Sequence, residues 1–387
     1  MSRGHLRSRS SGSWTIVIDV GRDLNGKRRQ KSVTVRGTKK EANQRLTELL
    51  RQQDTGTYLD PKKMTVASYL NAWLRDYAEP SVSTKTYIRY ESICVKHLAP
   101  ALGRLQLQML QPLHIQEYYN EALKFGRMDG KGGLSAQTVK HHHRVLAEAM
   151  KKAVNWQLIN VNPCDAVDAP KPEKKEMRAL DERESATLLD ISKGTRLYIP
   201  IVIALTTGLR RGELIGLKWS DIDLPAKKLS INRTIEQTSK YGIVEKTPKT
   251  KKSRRSIALP NLAIRALKEL RKEHSKQKLK LGPEFQDNGY LFINEDGTLW
   301  GPDAFTKAFR WFLDKTDIGY VRFHDLRHTH ASQLLKQGIN PKVVSERLGH
   351  SSIAITMDTY SHVLPGLQEE AASKINDALE DAISEIG

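Results

Sequence analysis

The C-terminal part of the chain carries side chains that could bind and attack a phosphodiester. In the segment H-D-L-R-H at 324–328, His324 and Arg327 are three residues apart, so on a helix they share one face and could meet one phosphate. His350 follows within the segment L-G-H, and Tyr360 stands ten residues further on. Guanidinium forks and imidazoles suit the charge on the non-bridging oxygens of a phosphodiester under attack. This order of residue types favours phosphoryl transfer.

Tyr360 is the candidate nucleophile. A phenol attacks weakly at its ordinary pKa of about 10. Surrounding cations favour the phenolate, so the sequence predicts that the pKa of Tyr360 is lowered. One tyrosine taken alone is more often an interface or core residue. Its position just after the phosphate-binding candidates favours the nucleophile.

Two upstream segments add further cations. In T-G-L-R-R-G-E at 207–213, Gly208 ends a helix, and the turn could present one guanidinium of Arg210 and Arg211 inward, with Glu213 holding it by a charge-assisted bond. An exposed Arg–Glu pair of little energetic value is the alternative. The run from Lys246 to Arg255 holds six cations in ten residues between two strands. It predicts a basic hairpin on the DNA backbone, in which one lysine could protonate a leaving oxygen.

A zinc hydrolase is a weaker alternative for the same residues. His324 and His328 have the i, i+4 spacing of H-E-x-x-H, but Asp325 stands where that motif has glutamate, and no third ligand is obvious. The run of three histidines at 141–143 cannot converge on one ion from consecutive helical positions. We therefore expect no metal and no cofactor.

Composition favours a polyanionic partner and a reducing compartment. The 387 residues carry a formal net charge of +19, for which nucleic acid is the commonest partner, although a basic soluble protein without one stays open. Cys94 and Cys164 form no C-x-x-C, so neither a disulfide framework nor a cysteine zinc site is predicted. No apolar run could span a bilayer, and the Arg/Ser/Gly-rich start lacks a signal core. We expect a cytoplasmic protein without membrane contact.

Three domains are predicted, at residues 1–60, 64–168 and 177–387. In the first, strands at 14–20 and 31–35 flank an Asn25-Gly26 turn, and a helix follows Thr38. The tip of this sheet is basic and could either read a DNA groove or be solvated without a partner. The tip residues are Lys27, Arg28, Arg29 and Lys31.

The second and third predicted domains are mainly helical. Apolar periodicity in 64–168 predicts about four helices and little strand. After a charged, proline-containing hinge at 171–175, Asp181 and Glu184 form a capping box that opens a mixed third domain. Strands at 229–231 and 256–259 predict a small sheet among its helices. The expected fold is therefore multidomain: a small α+β sheet-plus-helix domain, an all-helical domain, and a mainly α domain with a small β-sheet.

These segments together resemble the tyrosine recombinases, also called phage integrases. The matching marks are T-G-L-R-R-G-E (207–213), P-K-T (248–250), H-D-L-R-H (324–328), L-G-H (348–350) and Tyr360, in the family's order. The combination spans most of the third domain and is highly specific. The first two domains are similar in layout to the family's arm-binding and core-binding domains.

The resemblance implies a role for each matching residue. Arg210 and Arg327 would clamp the scissile phosphate, with Glu213 bracing Arg210. His324 would assist proton transfer, and His350 would hydrogen-bond a non-bridging oxygen.

The remaining implied roles belong to the two bond-changing steps. Tyr360 would form a 3′-phosphotyrosyl link, and Lys249 would protonate the leaving 5′ oxygen without need of ATP or metal. Lys251 and Lys252 compete with Lys249 for that role. Together with Arg254 they are the expected DNA contacts of the basic run.

The implied function is site-specific integration and excision of a mobile element. The expected partners are double-stranded core and arm attachment sites, a directionality or DNA-bending factor, and three further copies of the chain on DNA. The apolar spacing at 372–386 predicts an amphipathic C-terminal helix that docks on a neighbouring protomer or packs on its own domain. A bacterial or phage-encoded, nucleoid-associated protein follows from this. A type IB topoisomerase-like relaxing enzyme and a non-catalytic DNA-binding regulator are the alternatives.

Overall fold

A computed structural model describes residues 4–22, 26–54, 64–173, 178–247, 254–360 and 367–386. The chain forms two compact units, Met1–Lys174 and Lys175–Gly387. The finer division into three domains stays a prediction. In the described ranges, no helix combines the length and the apolar character needed to cross a membrane.

The first unit begins with a three-stranded antiparallel sheet and one helix. The strands β1 (Gly4–Ser10), β2 (Ser13–Arg22) and β3 (Arg28–Arg36) pair in chain order, and α1 (Lys39–Asp54) follows. Ile16, Ile18 and Leu49 form the core between sheet and helix. The sheet prediction missed β1, because this edge strand is mostly polar and acquires its structure by pairing with β2.

Local signals in this sheet-plus-helix region were predicted well. The Thr38 amide donates to Glu41 Oε2 at 2.7 Å, and Thr38 Oγ1 accepts from the Glu41 amide, so Thr38 caps α1 as expected. At the basic tip, Lys27 is exposed and Lys31 is half-buried. Arg28 and Arg29 begin β3, but their side chains lie outside the described part.

The helical remainder of this unit has four continuous stretches within residues 64–173. Two of them widen into a π-helical turn, Leu74–Ala78 and Cys94–Leu98, just before a proline. A proline removes one backbone donor and crowds the preceding turn, which accounts for both widened turns. The helices are α2 (Val66–Trp73), α3 (Glu79–Ser81), α4 (Thr84–Ile93), α5 (Ala99–Leu102), α6 (Pro112–Phe125) and α7 (Ala136–Asn155), with single 3₁₀ turns at Leu107–Met109 and Pro163–Ala166.

Histidines of α7 form pairs with tyrosines of α6. Tyr118 and His142 Nδ1 are hydrogen-bonded at 2.7 Å, and Tyr119 and His143 Nδ1 at 2.8 Å. These contacts belong to the packed core of the unit. Each of these adjacent histidines therefore makes its own hydrogen bond to a core tyrosine.

The second unit is mainly helical with small sheets, as predicted. One antiparallel sheet is formed by β4 (Ile222–Asp223), β5 (Lys228–Ile231) and β8 (Arg255–Ala258), in that order. A hairpin that the sequence prediction missed is formed by β6 (Thr234–Thr238) and β7 (Gly242–Lys246). The elements are α8 (Glu182–Ser192), α9 (Tyr198–Thr207), α10 (Arg211–Ile215), β4 (Ile222–Asp223), β5 (Lys228–Ile231), β6 (Thr234–Thr238), β7 (Gly242–Lys246), β8 (Arg255–Ala258), α11 (Asn261–Leu281), α12 (Pro302–Leu313), α13 (Asp325–Lys336), α14 (Pro341–Leu348), α15 (Ile353–Tyr360) and α16 (Leu367–Ile386), with 3₁₀ turns at Trp219–Asp221 and Gly282–Glu284.

Helix α9 is the centre of this unit. Its residues 201–204 are fully or almost fully buried, and it packs against α8, α11 and α13. A helix that is apolar on all sides belongs in the interior. It ends at Gly208, whose φ of +66° is the left-handed conformation that suits glycine, and this turn directs the chain into Arg210. The predicted capping box of Asp181 and Glu184 opens α8.

Candidate active site

Four separate segments bring the predicted site residues to one cavity of about 390 Å³. Arg210 directly precedes α10, His324 directly precedes α13, and His350 follows the left-handed Gly349 at the end of α14. Tyr360 is the last residue of α15. The cavity is lined by Arg210, His324, Arg327, His328, Gly349, His350, Ser351, Ile355, Thr359 and Tyr360. Lys249, Lys251 and Lys252 lie outside the described residues.

Arg327 lies at the floor of the cavity with only 3% of its surface exposed. Its Nη1 donates to the Gly208 carbonyl at 2.7 Å and its Nη2 to the Leu348 carbonyl at 2.8 Å. Both carbonyls lie at helix C-termini, where the backbone carries partial negative charge. Burial lowers the pKa of Arg327 to about 9, and the positive charge of Arg210 acts in the same direction. An anion in the cavity would counteract both effects.

Arg210 is oriented by Glu213, as the sequence predicts. Glu213 Oε1 accepts from Arg210 Nη1 at 2.8 Å, and Oε2 accepts from the Arg210 amide at 3.0 Å. The Arg210 side chain remains 39% exposed, whereas that of Glu213 is 6% exposed. A fixed carboxylate therefore holds a guanidinium that is still accessible from the cavity.

Arg255 is a second partner of Glu213 that sequence reasoning missed. Its Nη2 donates to Glu213 Oε2 at 3.0 Å, and its Nε donates to the Arg347 carbonyl at 2.7 Å. Burial alone would raise the pKa of Glu213, but hydrogen bonds from Arg255 and the charge of Arg210 hold it below its ordinary value. In the basic run no feature marks Arg255 as different from its exposed neighbour Arg254.

His330 joins the end of α9 to α13 and α14. Its Nδ1 can only donate to the Leu205 carbonyl, at 2.8 Å, and its Nε2 can only accept from Arg347 Nε, at 3.1 Å. These two contacts define a neutral ring with its proton on Nδ1. Arg347 also donates to the Thr206 carbonyl at 2.9 Å. Buried polar contacts thus fix the segment that carries Arg210 against the one that carries Arg327.

The side chains of His350 and Tyr360 are held by different partners. His350 Nδ1 and Thr356 Oγ1 are hydrogen-bonded at 2.8 Å, and burial lowers the pKa of His350 to about 4. The Tyr360 hydroxyl is hydrogen-bonded to His328 Nδ1 at 2.7 Å. In the sequence, His328 was considered only as an i+4 neighbour of His324 and as part of the zinc-hydrolase alternative. That spacing gives no sign of its contact with Tyr360, which is 32 positions further along the chain.

The predicted lowering of the Tyr360 pKa is wrong for this structure. Tyr360 is only 2% exposed, and burial raises its pKa to about 12, while Arg327 opposes the shift only in part. Desolvation disfavours the charged phenolate more than the nearby cation favours it. The hydroxyl is therefore a protonated phenol here.

Comparisons with known proteins cover nearly the whole chain. The model of the family described as "Phage integrase family" matches residues 178–366. The model described as "Phage integrase, N-terminal SAM-like domain" matches residues 65–123. The tyrosine recombinase XerC-like protein of Caldanaerobacter subterraneus subsp. tengcongensis is 32% identical over 94% of this chain and 96% of its own length. The ICEBs1 integrase of Bacillus subtilis is 24% identical over 97% of this chain and 100% of its own length.

A solved structure supports the same fold. The Tn1549 transposon integrase in complex with a circular intermediate DNA is similar with a TM-score of 0.68 at 22% identity, covering 81% of this chain and 99% of that one. This likeness confirms the multidomain, mainly helical architecture. The chain belongs to the phage integrase family of tyrosine recombinases, enzymes that break and rejoin DNA strands.

Proposed function

We propose that this recombinase integrates and excises a mobile DNA element at specific sites through a 3′-phosphotyrosyl intermediate. The observation that carries the proposal is the convergence of Arg210, Arg327, His350 and Tyr360, from four separate segments, on one cavity. Two guanidinium groups and an imidazole around a phenol suit a scissile phosphate and its attacking group. The ICEBs1 integrase, whose name denotes an integrating element, is similar along its full length.

Each of these residues has its own role in strand cleavage and rejoining. Tyr360 Oη attacks phosphorus while Arg210 and Arg327 bind the non-bridging oxygens and His350 donates a hydrogen bond to one of them. His324, at the exposed rim, assists proton transfer. Lys249 protonates the leaving 5′ oxygen. A free 5′ hydroxyl from the partner strand then attacks the phosphotyrosyl bond, so the energy of the phosphodiester is conserved.

DNA is bound outside the cavity as well. The basic tip of the N-terminal sheet, with Lys27, Arg28, Arg29 and Lys31, is the proposed contact with arm sites. The run that contains Lys251, Lys252 and Arg254 is the proposed contact with the core-site backbone. A net charge of +19 supports both interactions, which weaken steeply with salt. A directionality or bending factor would act where arm and core sites are joined, on DNA in the bacterial cytoplasm and nucleoid.

Strand exchange requires four active sites, because two duplexes are each cut on both strands. Helix α16 supplies a surface for such an assembly: Ile375, Leu379 and Ile383 are 64%, 59% and 68% exposed. These residues recur every four positions and form one apolar stripe. The stripe is the proposed contact with a neighbouring protomer in a homotetramer on DNA.

Substitution of the nucleophile tests this function. Tyr360→Phe should bind DNA fragments adjoining the gene that carry inverted repeats, yet form no detergent-resistant protein–DNA adduct, because it lacks the attacking oxygen. Tyr320→Phe is the matched control, since Tyr320 lies in the same unit and is exposed. It should form the adduct at the wild-type rate.

Three outcomes contradict the proposal. Adduct formation by Tyr360→Phe would exclude this nucleophile. Equal relaxation by the wild-type protein of plasmids with and without the inverted repeats would instead indicate a type IB relaxing enzyme. A wild-type protein that binds the repeats but never forms an adduct would indicate a DNA-binding regulator.

A further inference from the structure

The attacking hydroxyl has a defined proton acceptor beside it. Tyr360 Oη and His328 Nδ1 are 2.7 Å apart, and both residues are buried. His350, the other imidazole deep in the site, is engaged with Thr356 through its own Nδ1. His328 is therefore placed against the reacting atom itself.

The state of the His328 ring suits acceptance of a proton. Burial, followed by the neighbouring His324, lowers the pKa of His328 to about 4, so the ring is neutral near pH 7. A neutral ring with its proton on Nε2 presents a lone pair on Nδ1 to the phenol O–H. At rest the proton stays on Tyr360, whose pKa is raised. The Tyr360 hydroxyl is thus hydrogen-bonded to its proton acceptor while it is still protonated.

We propose that His328 is the general base that activates Tyr360 for strand cleavage. As the bond between Tyr360 Oη and phosphorus forms and the bond from phosphorus to the 5′ oxygen breaks, the phenol proton moves to His328 Nδ1. The leaving oxygen takes its proton from a different group. In rejoining, the 5′ hydroxyl gives its proton back to that group as it attacks phosphorus, the bond between phosphorus and Tyr360 Oη breaks, and the imidazolium returns its proton to Tyr360. This step depends on the proposed role of Tyr360 as nucleophile.

The surroundings make the transfer dependent on bound DNA. The cations around His328 disfavour the imidazolium until a phosphate enters the cavity, and the phosphate charge then compensates for them. The base is consequently weak in the free protein and stronger in the complex. The ionisable and charged groups facing His328 are His324, Asp325, Arg327 and Arg322 from its own segment, Tyr360 from α15, and His350 from the loop after α14.

The test separates activation of the nucleophile from protonation of the leaving group. The probe is a suicide duplex that carries the inverted repeats adjoining the gene, made with an ordinary 5′ oxygen or with sulfur at the bridging 5′ position of the scissile phosphate. A thiolate leaves without protonation because a thiol has a pKa near 8.5. The measured quantity is the single-turnover rate of adduct formation from pH 5 to 9.

His328→Asn can retain a hydrogen bond to Tyr360 but cannot take up a proton. We expect it to cleave both duplexes at least about 100-fold more slowly than wild type, the usual scale for a general base. Its rate should rise with pH as the phenol ionises, whereas the wild-type rate on the sulfur duplex should fall as His328 becomes protonated in acid. Rescue of His328→Asn by sulfur, or an unchanged pH profile, would overturn the proposal.

The chain contains a matched control for loss of a buried Tyr–His pair. Tyr118 and His142 Nδ1 are also 2.7 Å apart, in the first unit. His142→Asn should leave the shape of the pH profile and the ratio of oxygen to sulfur rates unchanged. A parallel measurement with Tyr360→Phe separates the two proposals, because an adduct there refutes the nucleophile, whereas normal cleavage by His328→Asn refutes only the base.

The wild-type protein provides the decisive measurement if His328→Asn does not fold, as judged by thermal melting. Its cleavage of the sulfur duplex should decrease about tenfold per pH unit below the apparent pKa of the base in the complex. A rate that is flat from pH 5 to 8 would overturn the role of His328.

Discussion

Adjacent arginines at the start of β8 have opposite surroundings. Arg254 is exposed, whereas the side chain of Arg255 is 7% exposed and shares Glu213 with Arg210. Successive residues of an extended chain point to opposite sides. Arg254 is thus open to solvent, and Arg255 braces the carboxylate that orients Arg210.

Substituting each arginine by methionine distinguishes these roles. Arg255→Met leaves a buried carboxylate with one cation fewer and should lower the free energy of unfolding by about 3 kcal/mol. Cleavage should also slow, because Arg210 loses its fixed orientation. Arg254→Met should keep the melting temperature and reduce the salt dependence of DNA binding by about one phosphate contact. Urea denaturation measures the free energy of unfolding, and binding titrations at several salt concentrations measure the salt dependence. Equal stability of the two variants would contradict the different roles of Arg254 and Arg255.

At the residue scale, motif spacing predicted which side chains come together, but it did not predict their pKa values. Arg210, His324, Arg327, His350 and Tyr360 all line the cavity. Arg255 and His328 were missed as functional residues because their partners are 42 and 32 positions away along the chain. The error in the Tyr360 pKa has the same origin, since burial depends on the assembled fold.

At the scale of elements, the end of α9 determines where Arg210 and Arg327 lie relative to each other. Gly208 carries the carbonyl that accepts from Arg327 and stands two residues before Arg210. A Cβ at this position would lie 2.6 Å from His330 Cδ2 and 2.7 Å from Leu348 Cδ2. Both the left-handed backbone and the close packing therefore require glycine.

Gly208→Ala should reduce stability and cleavage together. Gly194 has a similar φ of +73°, and a methyl group added there would meet nothing within 4 Å, so Gly194→Ala isolates the backbone strain. We expect a cost of about 1 kcal/mol for Gly194→Ala and about 3 kcal/mol or more for Gly208→Ala, which adds overpacking. Thermal melts and single-turnover cleavage check this. Equal losses in the two variants would show that packing around Gly208 is unimportant.

Elements with local signals were predicted, and elements that depend on pairing were not. The caps at Thr38 and Asp181 were correct because each involves residues three positions apart. Strand β1 and the β6–β7 hairpin were missed, since their sequences are largely polar and their hydrogen bonds go to another strand. Register between strands is a property of the fold rather than of a short window.

For the whole molecule, the fold class and the family follow from the sequence and are confirmed. One sequence is enough to read the net charge, the helical periodicity and the order of the site residues. The arrangement of copies on DNA is not such a feature, because it depends on surfaces of two molecules. The apolar stripe of α16 remains the element through which a tetramer is proposed.

Leu379→Asp tests the stripe, with Ser384→Asp as a control that adds the same charge on another side of α16. Loss of one buried leucine should weaken each contact by about 2 kcal/mol, which is roughly thirtyfold in affinity. Recombination between two sites should fall, while binding of one protomer to one half-site is retained. Analytical ultracentrifugation on DNA reports the assembly. Equal tetramer formation by Leu379→Asp and Ser384→Asp would exclude this contact.

The two carbonyl partners of Arg327 have a consequence for the stage of synthesis and folding at which its buried position can form. They come from positions 119 residues before and 21 residues after it in the chain. A polypeptide whose synthesis has stopped short of the end of α14 thus lacks one of these two carbonyls. The buried setting of Arg327 is therefore completed only when the ends of α9 and α14 both lie beside α13.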